Sequence, residues 1–251
     1  MSAANVAEAL LLARRERRPL DASAFEHALR TPGEAYEVQD LVLRGLQAGE
    51  PVMAWKSGGP SRAAVPTHAP LPAAGMWTSP ADARGRHANF WLIEAEIALR
   101  LGQDVSSAQA AALSHDDAPS LVDAMTVSIE WVDSRWVQGV QAPALLKLAD
   151  FQSHGALVLG QWAPFAPRDW SRQRCSVRIG DAAPHEFTGT HSMGDPCWVL
   201  PAWLRHATRH GDVMRRGTIV TTGTWCGMLA AGQGDAVSVS FEGVGQADLQ
   251  Y

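Results

Sequence analysis

Two largely apolar stretches of this chain carry their polar positions with a period of two. In Phe90-Trp91-Leu92-Ile93-Glu94-Ala95-Glu96-Ile97-Ala98-Leu99 a period of two puts Trp91, Ile93, Ile97 and Leu99 on one face and Glu94 and Glu96 on the other. A helix would set the two carboxylates about 200° apart around its axis, where they could not serve one site, so the spacing predicts a strand. In Thr126-Val127-Ser128-Ile129-Glu130-Trp131-Val132 the same alternation turns Val127, Ile129 and Trp131 one way and Glu130 the other. Elsewhere the period is helical. Residues 3–48 predict three helices: one carries Val6, Leu10 and Ala13, a second is capped by Asp21 and runs through Leu29, and a third opens at Thr31. That third start is a capping box, Thr31-Pro32-Gly33-Glu34, followed by Val38, Leu41, Val42 and Leu46 as the buried stripe with Gly45 a small gap beside it.

Gly49 ends this helical part, and residues 51–56 predict a strand that stops at Ser57-Gly58-Gly59-Pro60. Residues 106–125 hold helix-forming alanines and a second start at Asp117. Residues 156–159 predict a strand, and residues 174–179 with Gly180-Asp181 a hairpin. Asp195 and Pro196 cap and begin a helix to about His210, and Gly243 and Gly245 punctuate a closing hairpin.

Composition narrows the class. At 251 residues and 46% hydrophobic, with ten tryptophans, the chain is long enough for a sizeable core. One domain, 1–251, is expected, with a helical part at 1–50 and a mixed-sheet core at 51–251. A formal charge of −5 gives no general attraction to nucleic acid. The one basic run, Arg14-Arg15-Glu16-Arg17-Arg18, is short and mixed, as at a solvated helix end. Cys175, Cys197 and Cys226 are odd in number and form no Cys-x-x-Cys pair, which fits a reducing cytoplasm. Leu10 to Leu12 run straight into arginines and no apolar stretch reaches membrane-spanning length, so a soluble chain is expected. Nucleotide-binding loops and the Gly-x-Ser-x-Gly elbow are both absent.

The chemistry starts from the glutamates. Two carboxylates side by side in an apolar strand are costly unless they share a proton or bind a cation. Glu130 offers a third oxygen ligand, and three carboxylates without cysteine or histidine suit Mg²⁺ or Mn²⁺. A solvated sheet face carrying surface ion pairs would give the same spacing. Lys56 is open to two readings, a surface lysine at a strand end or a cation in a pocket. His154 is either a proton carrier or a core histidine held by a backbone carbonyl. Asp133 and Arg135 either pair with each other or clamp a carboxylate. His115 reads as a solvated histidine in a polar turn.

Ile93-Glu94-Ala95-Glu96-Ile97-Ala98 followed by Ile129-Glu130-Trp131-Val132-Asp133-Ser134-Arg135 resembles the 2-oxopent-4-enoate hydratase and 4-oxalocrotonate decarboxylase branch of the fumarylacetoacetate hydrolase superfamily. Three more blocks agree in order: Val52-Met53-Ala54-Trp55-Lys56-Ser57-Gly58, the block from Asp150 to Gly160, and the close from Gly217-Thr218-Ile219-Val220-Thr221-Thr222-Gly223-Thr224 through Gly234-Asp235. The resemblance spans residues 35–251. It implies an α+β fold, a mixed-sheet roll or barrel with an N-terminal helical part, and Glu94, Glu96 and Glu130 around a divalent cation at its mouth.

It further implies Lys56, Asp150 and Ser153 as catalytic residues, with Lys56, Ser153 and Thr222 contacting a small 2-oxo acid, in a homo-oligomer; His154, by its titration near neutrality, is expected to join the catalytic residues, and charge and hydropathy predict neither nucleic acid nor membrane as partner. The implied reaction is hydration of a 2-hydroxy-2,4-dienoate to a 4-hydroxy-2-oxo acid, as in aromatic-compound degradation. Decarboxylation of a 4-oxalocrotonate-type diacid ranks second, acylpyruvate hydrolysis third, and a catalytically degenerate 2-oxo-acid-binding homologue last. Two departures from the family pattern stand out. The loop Ala69-Pro70-Leu71-Pro72-Ala73-Ala74-Gly75-Met76 lacks the family's acid, and Phe151 and His154 replace its usual Asn and Ser.

Overall fold

The first and third of the predicted N-terminal helices form where the spacing puts them. In this computed structural model, which describes residues 1–47 and 49–251, α1 spans Ala3–Glu16 behind a Ser2–Asn5 capping box, and α2 spans Pro32–Leu46. The Glu34 N–H donates to Thr31 Oγ1 at 3.2 Å while the Thr31 N–H donates to Glu34 Oε2 at 3.0 Å. Gly45 is the gap that seats α1, since a Cβ there would lie 2.7 Å from Leu11 Cδ1. The buried stripe of α2 is Ala35, Val38, Gln39 and Val42, whereas Leu46, the last helical residue, is 40% exposed. Gln39 is buried because its amide donates to Leu148 O at 2.6 Å and His68 O at 3.2 Å, fastening α2 to the sheet side of the molecule. Position 48, the end of the predicted helical stretch, lies outside the described residues.

The middle helix is corrected. Asp21 does cap, accepting from the Ser23 N–H at 2.9 Å, but only a 3-10 turn, Ala22–Phe25, follows. Tertiary contacts win over local propensity here: Leu20 bridges Trp136 in parallel, Gln138 bonds both Asp21 and the Ala22 N–H, and Phe25 meets Trp136 edge-on at 5.3 Å.

The strands before the glutamate pair are β1 Ala54–Gly58, β2 Thr67–Pro70, β3 Met76–Thr78 and β4 Ala81–Asp82. Next come β5 Leu92–Leu101, helix α3 Ser107–Ala112, β6 Val122–Val132, helix α4 Ala144–Ala149, β7 His154–Leu159 and β8 Ala163–Pro164. The chain closes with β9 Arg174–Ile179, β10 His185–Thr188, helix α5 Leu200–Ala207, β11 Ile219–Thr221, β12 Leu229–Ala230, β13 Ala236–Phe241 and β14 Gly245–Gln250. The main sheet runs β2-β1-β11-β5-β6-β7-β3, with β12 on β5 and β8 on β6, and the second runs β10-β9-β13-β14-β4. Most pairs are antiparallel, but β1–β11, β3–β7 and β14–β4 are parallel, so the architecture is a mixed-sheet α+β half-barrel.

The second sheet covers one face of β5 and β6. There Ile93, Ile97, Leu99, Val127 and Ile129 join Val237, Val239, Phe241, Ala247 and Leu249 in one core. Burial of this face on a covering sheet fixes the strand phase, and the glutamates take the opposite face. Two further expectations change. Residues 106–125 are helical only at α3 and a 3-10 turn, Ala118–Leu121, because β6 starts at Val122 and ties Asp123 to Arg100 of β5 at 2.8 Å. The helix begun at Asp195 opens with a 3-10 turn, Pro196–Val199, and α5 ends at Ala207. All three cysteines are free, and among the described residues no helix is long and apolar enough to cross a membrane.

Candidate active site

Register puts the carboxylates together. Glu94 on β5 faces Glu130 on β6 directly, and Glu96 faces Ser128 two residues along. One oxygen from each of Glu94, Glu96 and Glu130 lies within 4.8 Å of the others. Glu96 and Glu130 are buried, at 2% and 0% exposure. Lys56 Nζ, reaching in from β1, donates to Glu130 Oε1 at 2.5 Å, and His154 Nδ1 meets the same oxygen at 3.1 Å from β7. Glu130 Oε2 is buried without a partner. Glu96 Oε2 accepts from the Thr221 hydroxyl and, at 3.1 Å, from the Gly223 N–H, while Ser128 Oγ stands 3.0 Å from Thr221 Oγ1. Gly223 has φ +108°, a conformation L side chains rarely adopt, and this aims its N–H at the carboxylate.

The electrostatics are those of an anion cluster short of positive charge. Burial, reinforced by Glu130, pushes the Glu94 carboxyl up to about 8 and that of Glu96 to about 7. Burial opposes ionisation of Glu130 as well, but Lys56 and His154 hold it below the usual carboxylate range. Burial also works against the Lys56 ammonium, and the three glutamates more than reverse that, so it stays charged. Burial pushes His154 down, toward its neutral form. Three convergent carboxylates, two of them pushed toward their protonated forms and the third with an orphaned oxygen, are what an oxygen-preferring divalent cation would satisfy. The residues fit such an ion.

A cavity of about 620 Å³ opens over this cluster. Its polar lining includes Lys56, Glu94, Glu96, Ser153 and Thr221 together with Ser57, Thr67, Lys147, Gln152, Ser192 and Thr224, and Val132, Val140, Leu145, Leu148 and Met228 form an apolar wall. Ser153 reaches it through an unusual turn: Phe151, Gln152 and Ser153 have φ of +50°, +55° and +61°. Left-handed backbone costs roughly 1–2 kcal/mol per non-glycine residue, so the turn must be held from outside. Asp150 holds it. Its carboxylate accepts from the Arg135 N–H at 2.9 Å, from Arg135 Nε at 2.6 Å and from Arg14 Nη2 at 3.0 Å, and Phe151 is fully buried beneath Arg14. Arg135 is bonded to the internal carboxylate of Asp150 and stands 3.8 Å from Asp133, which is the structural role.

Two expected site residues are corrected. Asp150 does not line the cavity; it is 0% exposed and spent on the two arginines, so its part is to fix the turn. Thr222 points away, its hydroxyl donating to Ile97 O at 2.8 Å. Its neighbour Thr221 pairs with Ala98, which shares the glutamate face, so Thr221 meets the site instead. Sequence reasoning missed both Thr221 and Ser128, although Ser128 alternates with Glu130 and was readable from that. His154 is bonded to a site carboxylate rather than a backbone carbonyl, and Lys56 and Ser153 both line the cavity.

Comparisons with known proteins bear on the family and the fold. The model of the fumarylacetoacetate (FAA) hydrolase C-terminal family matches residues 38–250. The 2-keto-4-pentenoate hydratase of Paraburkholderia xenovorans (strain LB400) and 2-keto-4-pentenoate hydratase 3 of Pseudomonas putida are each 27% identical over 162 residues. That alignment covers 63% of this chain but only 58% of the relatives' length. The solved 4-oxalocrotonate decarboxylase from Pseudomonas putida G7, complexed with magnesium and adipate, is similar at a TM-score of 0.86 and 18% identity, covering 99% of this chain and 96% of its own. A fumarylpyruvate hydrolase from Pseudomonas aeruginosa, in complex with Mn²⁺ and pyruvate, follows at a TM-score of 0.56 and 14% identity, over 78% of this chain and 88% of that one. The structural likenesses speak for the fold, and the match over residues 38–250 decides the membership: this chain belongs to the fumarylacetoacetate (FAA) hydrolase C-terminal family.

Proposed function

We propose that this chain is an enzyme that hydrates a 2-hydroxy-2,4-dienoate to a 4-hydroxy-2-oxo acid, with Mg²⁺ or Mn²⁺ held by Glu94, Glu96 and Glu130. The observation that carries the reading is the convergence of three carboxylate oxygens within 4.8 Å beside Lys56, at the polar end of a cavity with an apolar wall. A bound divalent cation supplies Lewis acidity toward the oxygens of a 2-oxo carboxylate. The remaining work belongs to the chain. Three ionised glutamates around such a cation leave the site negative, and an anionic substrate adds to that, so the Lys56 ammonium offsets charge and donates to a substrate oxygen. Ser153 presents its hydroxyl to the substrate carboxylate. Thr221, Ser128 and the Gly223 N–H fix Glu96, while His154 fixes Glu130 from the opposite side. The apolar wall receives the hydrocarbon part of the substrate.

The names of the curated relatives support hydration. Decarboxylation of a 2-oxo diacid stands second, favoured by the likeness to 4-oxalocrotonate decarboxylase over 99% of the chain. Acylpyruvate hydrolysis and simple 2-oxo-acid binding rank below these. One domain over 1–251, a homo-oligomer and a cytoplasmic location belong to the same reading. The test is incubation of purified protein and Mg²⁺ or Mn²⁺ with 2-hydroxypenta-2,4-dienoate and, separately, with 4-oxalocrotonate. Loss of dienol absorbance with formation of 4-hydroxy-2-oxopentanoate is expected. Carbon dioxide release from the diacid alone would move the second reading to first place, and inertness toward both would overturn hydration and decarboxylation of these two acids.

A further inference from the structure

We infer that the substrate of this site carries an apolar tail larger than a vinyl or methyl group, and that Val140, Leu145 and Leu148 select it against a second carboxylate. The inference rests on the reading above that the 2-oxo acid end sits at the glutamates. From there the wall gives a direction. Val132 follows Glu130 on the same face of β6, about 6–7 Å further along the strand, and α4 presents Ala144, Leu145 and Leu148 from one side beyond it, with Val140 in the turn before. A substrate anchored at the carboxylates therefore points its far carbons into aliphatic side chains.

Only two cations line the cavity among the described residues. Lys56 is engaged with Glu130 at 2.5 Å, and the Lys147 ammonium donates to Val140 O at 2.8 Å. Lys56 serves the glutamate end, and Lys147 already gives one of its N–H groups to Val140 O, so a tail carboxylate among the leucines has at most a shared partner and is disfavoured. Size agrees. The cavity, about 620 Å³, is far larger than a five-carbon acid fills, and lies within the range of about 300–1,000 Å³ that takes drug-sized ligands.

The test is a series of 2-hydroxy-2,4-dienoates bearing hydrogen, methyl, propyl, phenyl or carboxylate at the far end, assayed with Mg²⁺ for kcat/KM. Each added methylene is expected to raise kcat/KM by up to about 4-fold while it is buried, and the carboxylate to lower it by about 100-fold against methyl. Leu145→Lys should narrow that last ratio by about 10-fold or more. Binding of 2-oxooctanoate and 2-oxoadipate to the Mg²⁺-loaded wild type, read by calorimetry, needs neither turnover nor a variant, and 2-oxooctanoate should bind at least 10-fold tighter. Equal or better use of the carboxylate tail, or equal binding of the two acids, overturns the inference while leaving hydration standing. A wild type that transforms none of the dienoates and binds neither acid overturns both.

Discussion

At the scale of single residues, Lys56 and Thr221 are where the site is most exposed to test. Lys56 is held charged by the glutamates it faces, and its bond to a substrate oxygen should strengthen as negative charge develops there. Lys56→Met is therefore expected to lower kcat and kcat/KM together, by about 100-fold or more. A rise in KM at constant kcat would reduce Lys56 to an attractor of anions. The threonine pair separates site from scaffold. Thr221→Val removes a donor to Glu96 and should weaken Mg²⁺ binding by about 10-fold or more, read by calorimetry. Thr222→Val removes only the bond to Ile97 O and should lower the melting temperature while leaving Mg²⁺ affinity within about 2-fold. The glutamates were legible because ten alternating residues leave one phase for the strand. Thr222 was misread because β11 has three residues and glycine beyond them, so the sequence there carries no phase, and only pairing with β5 supplies one.

At the scale of elements, the turn between α4 and β7 shows why a motif residue need not touch chemistry. Three successive left-handed residues bring Ser153 to the cavity, and Asp150 keeps them there by binding Arg14 and Arg135. The resemblance pointed to Asp150 correctly as a fixed feature of the block but gave it the wrong task. Asp150→Asn leaves the largely buried Arg14 guanidinium without its counter-charge and Arg135 with only Asp133, 3.8 Å away, and should cost about 3–5 kcal/mol, seen as a lower urea midpoint at an unchanged m-value. An unaltered midpoint would mean that burial of Phe151 and the backbone bonds of Gln152 and Ser153 hold the turn without the carboxylate. The same scale explains the helical misreadings. Asp21 caps its segment, but Gln138 and Trp136 draw it into a short turn, whereas Asp117 makes no capping bond and the pairing with β5 draws residues from Val122 onward into a strand. A capping residue says where a helix can begin, and tertiary contacts decide how far it runs.

At the scale of the whole molecule, two sets of buried groups set opposing pH dependences, and the divalent cation should remove one of them. His68 on β2 and His206 on α5 lie 4.9 Å apart between ring centres, and His206 packs on Tyr36 of α2 at 4.2 Å, so they join the N-terminal helices to the sheet. Burial pushes both down to about 3, with Arg209 adding to it. Arg209 itself pairs with Asp40 at 2.9 Å, and His210 stands 3.8 Å from that carboxylate. Because their folded pKa values lie below the ordinary one of about 6.5, the stability they contribute is full above pH 6.5 and is lost as pH falls toward 3. Glu94 and Glu96 run the other way. Raised to about 8 and about 7, they contribute stability that is full below their ordinary value and is lost as pH rises through 7 and 8. Between pH 4.5 and 6.5 the two sets offset each other, and above pH 6.5 only the carboxylate loss remains. Metal-free protein should therefore show a urea midpoint that declines from pH 6.5 to pH 8.5, whereas saturating Mg²⁺, which favours the ionised carboxylates, should hold it level. His206→Phe keeps the ring contacts and removes one titrating group, so it should flatten the acid side alone. If Mg²⁺ raised the midpoint equally at pH 6 and pH 8.5, the cation would be binding somewhere other than this glutamate cluster.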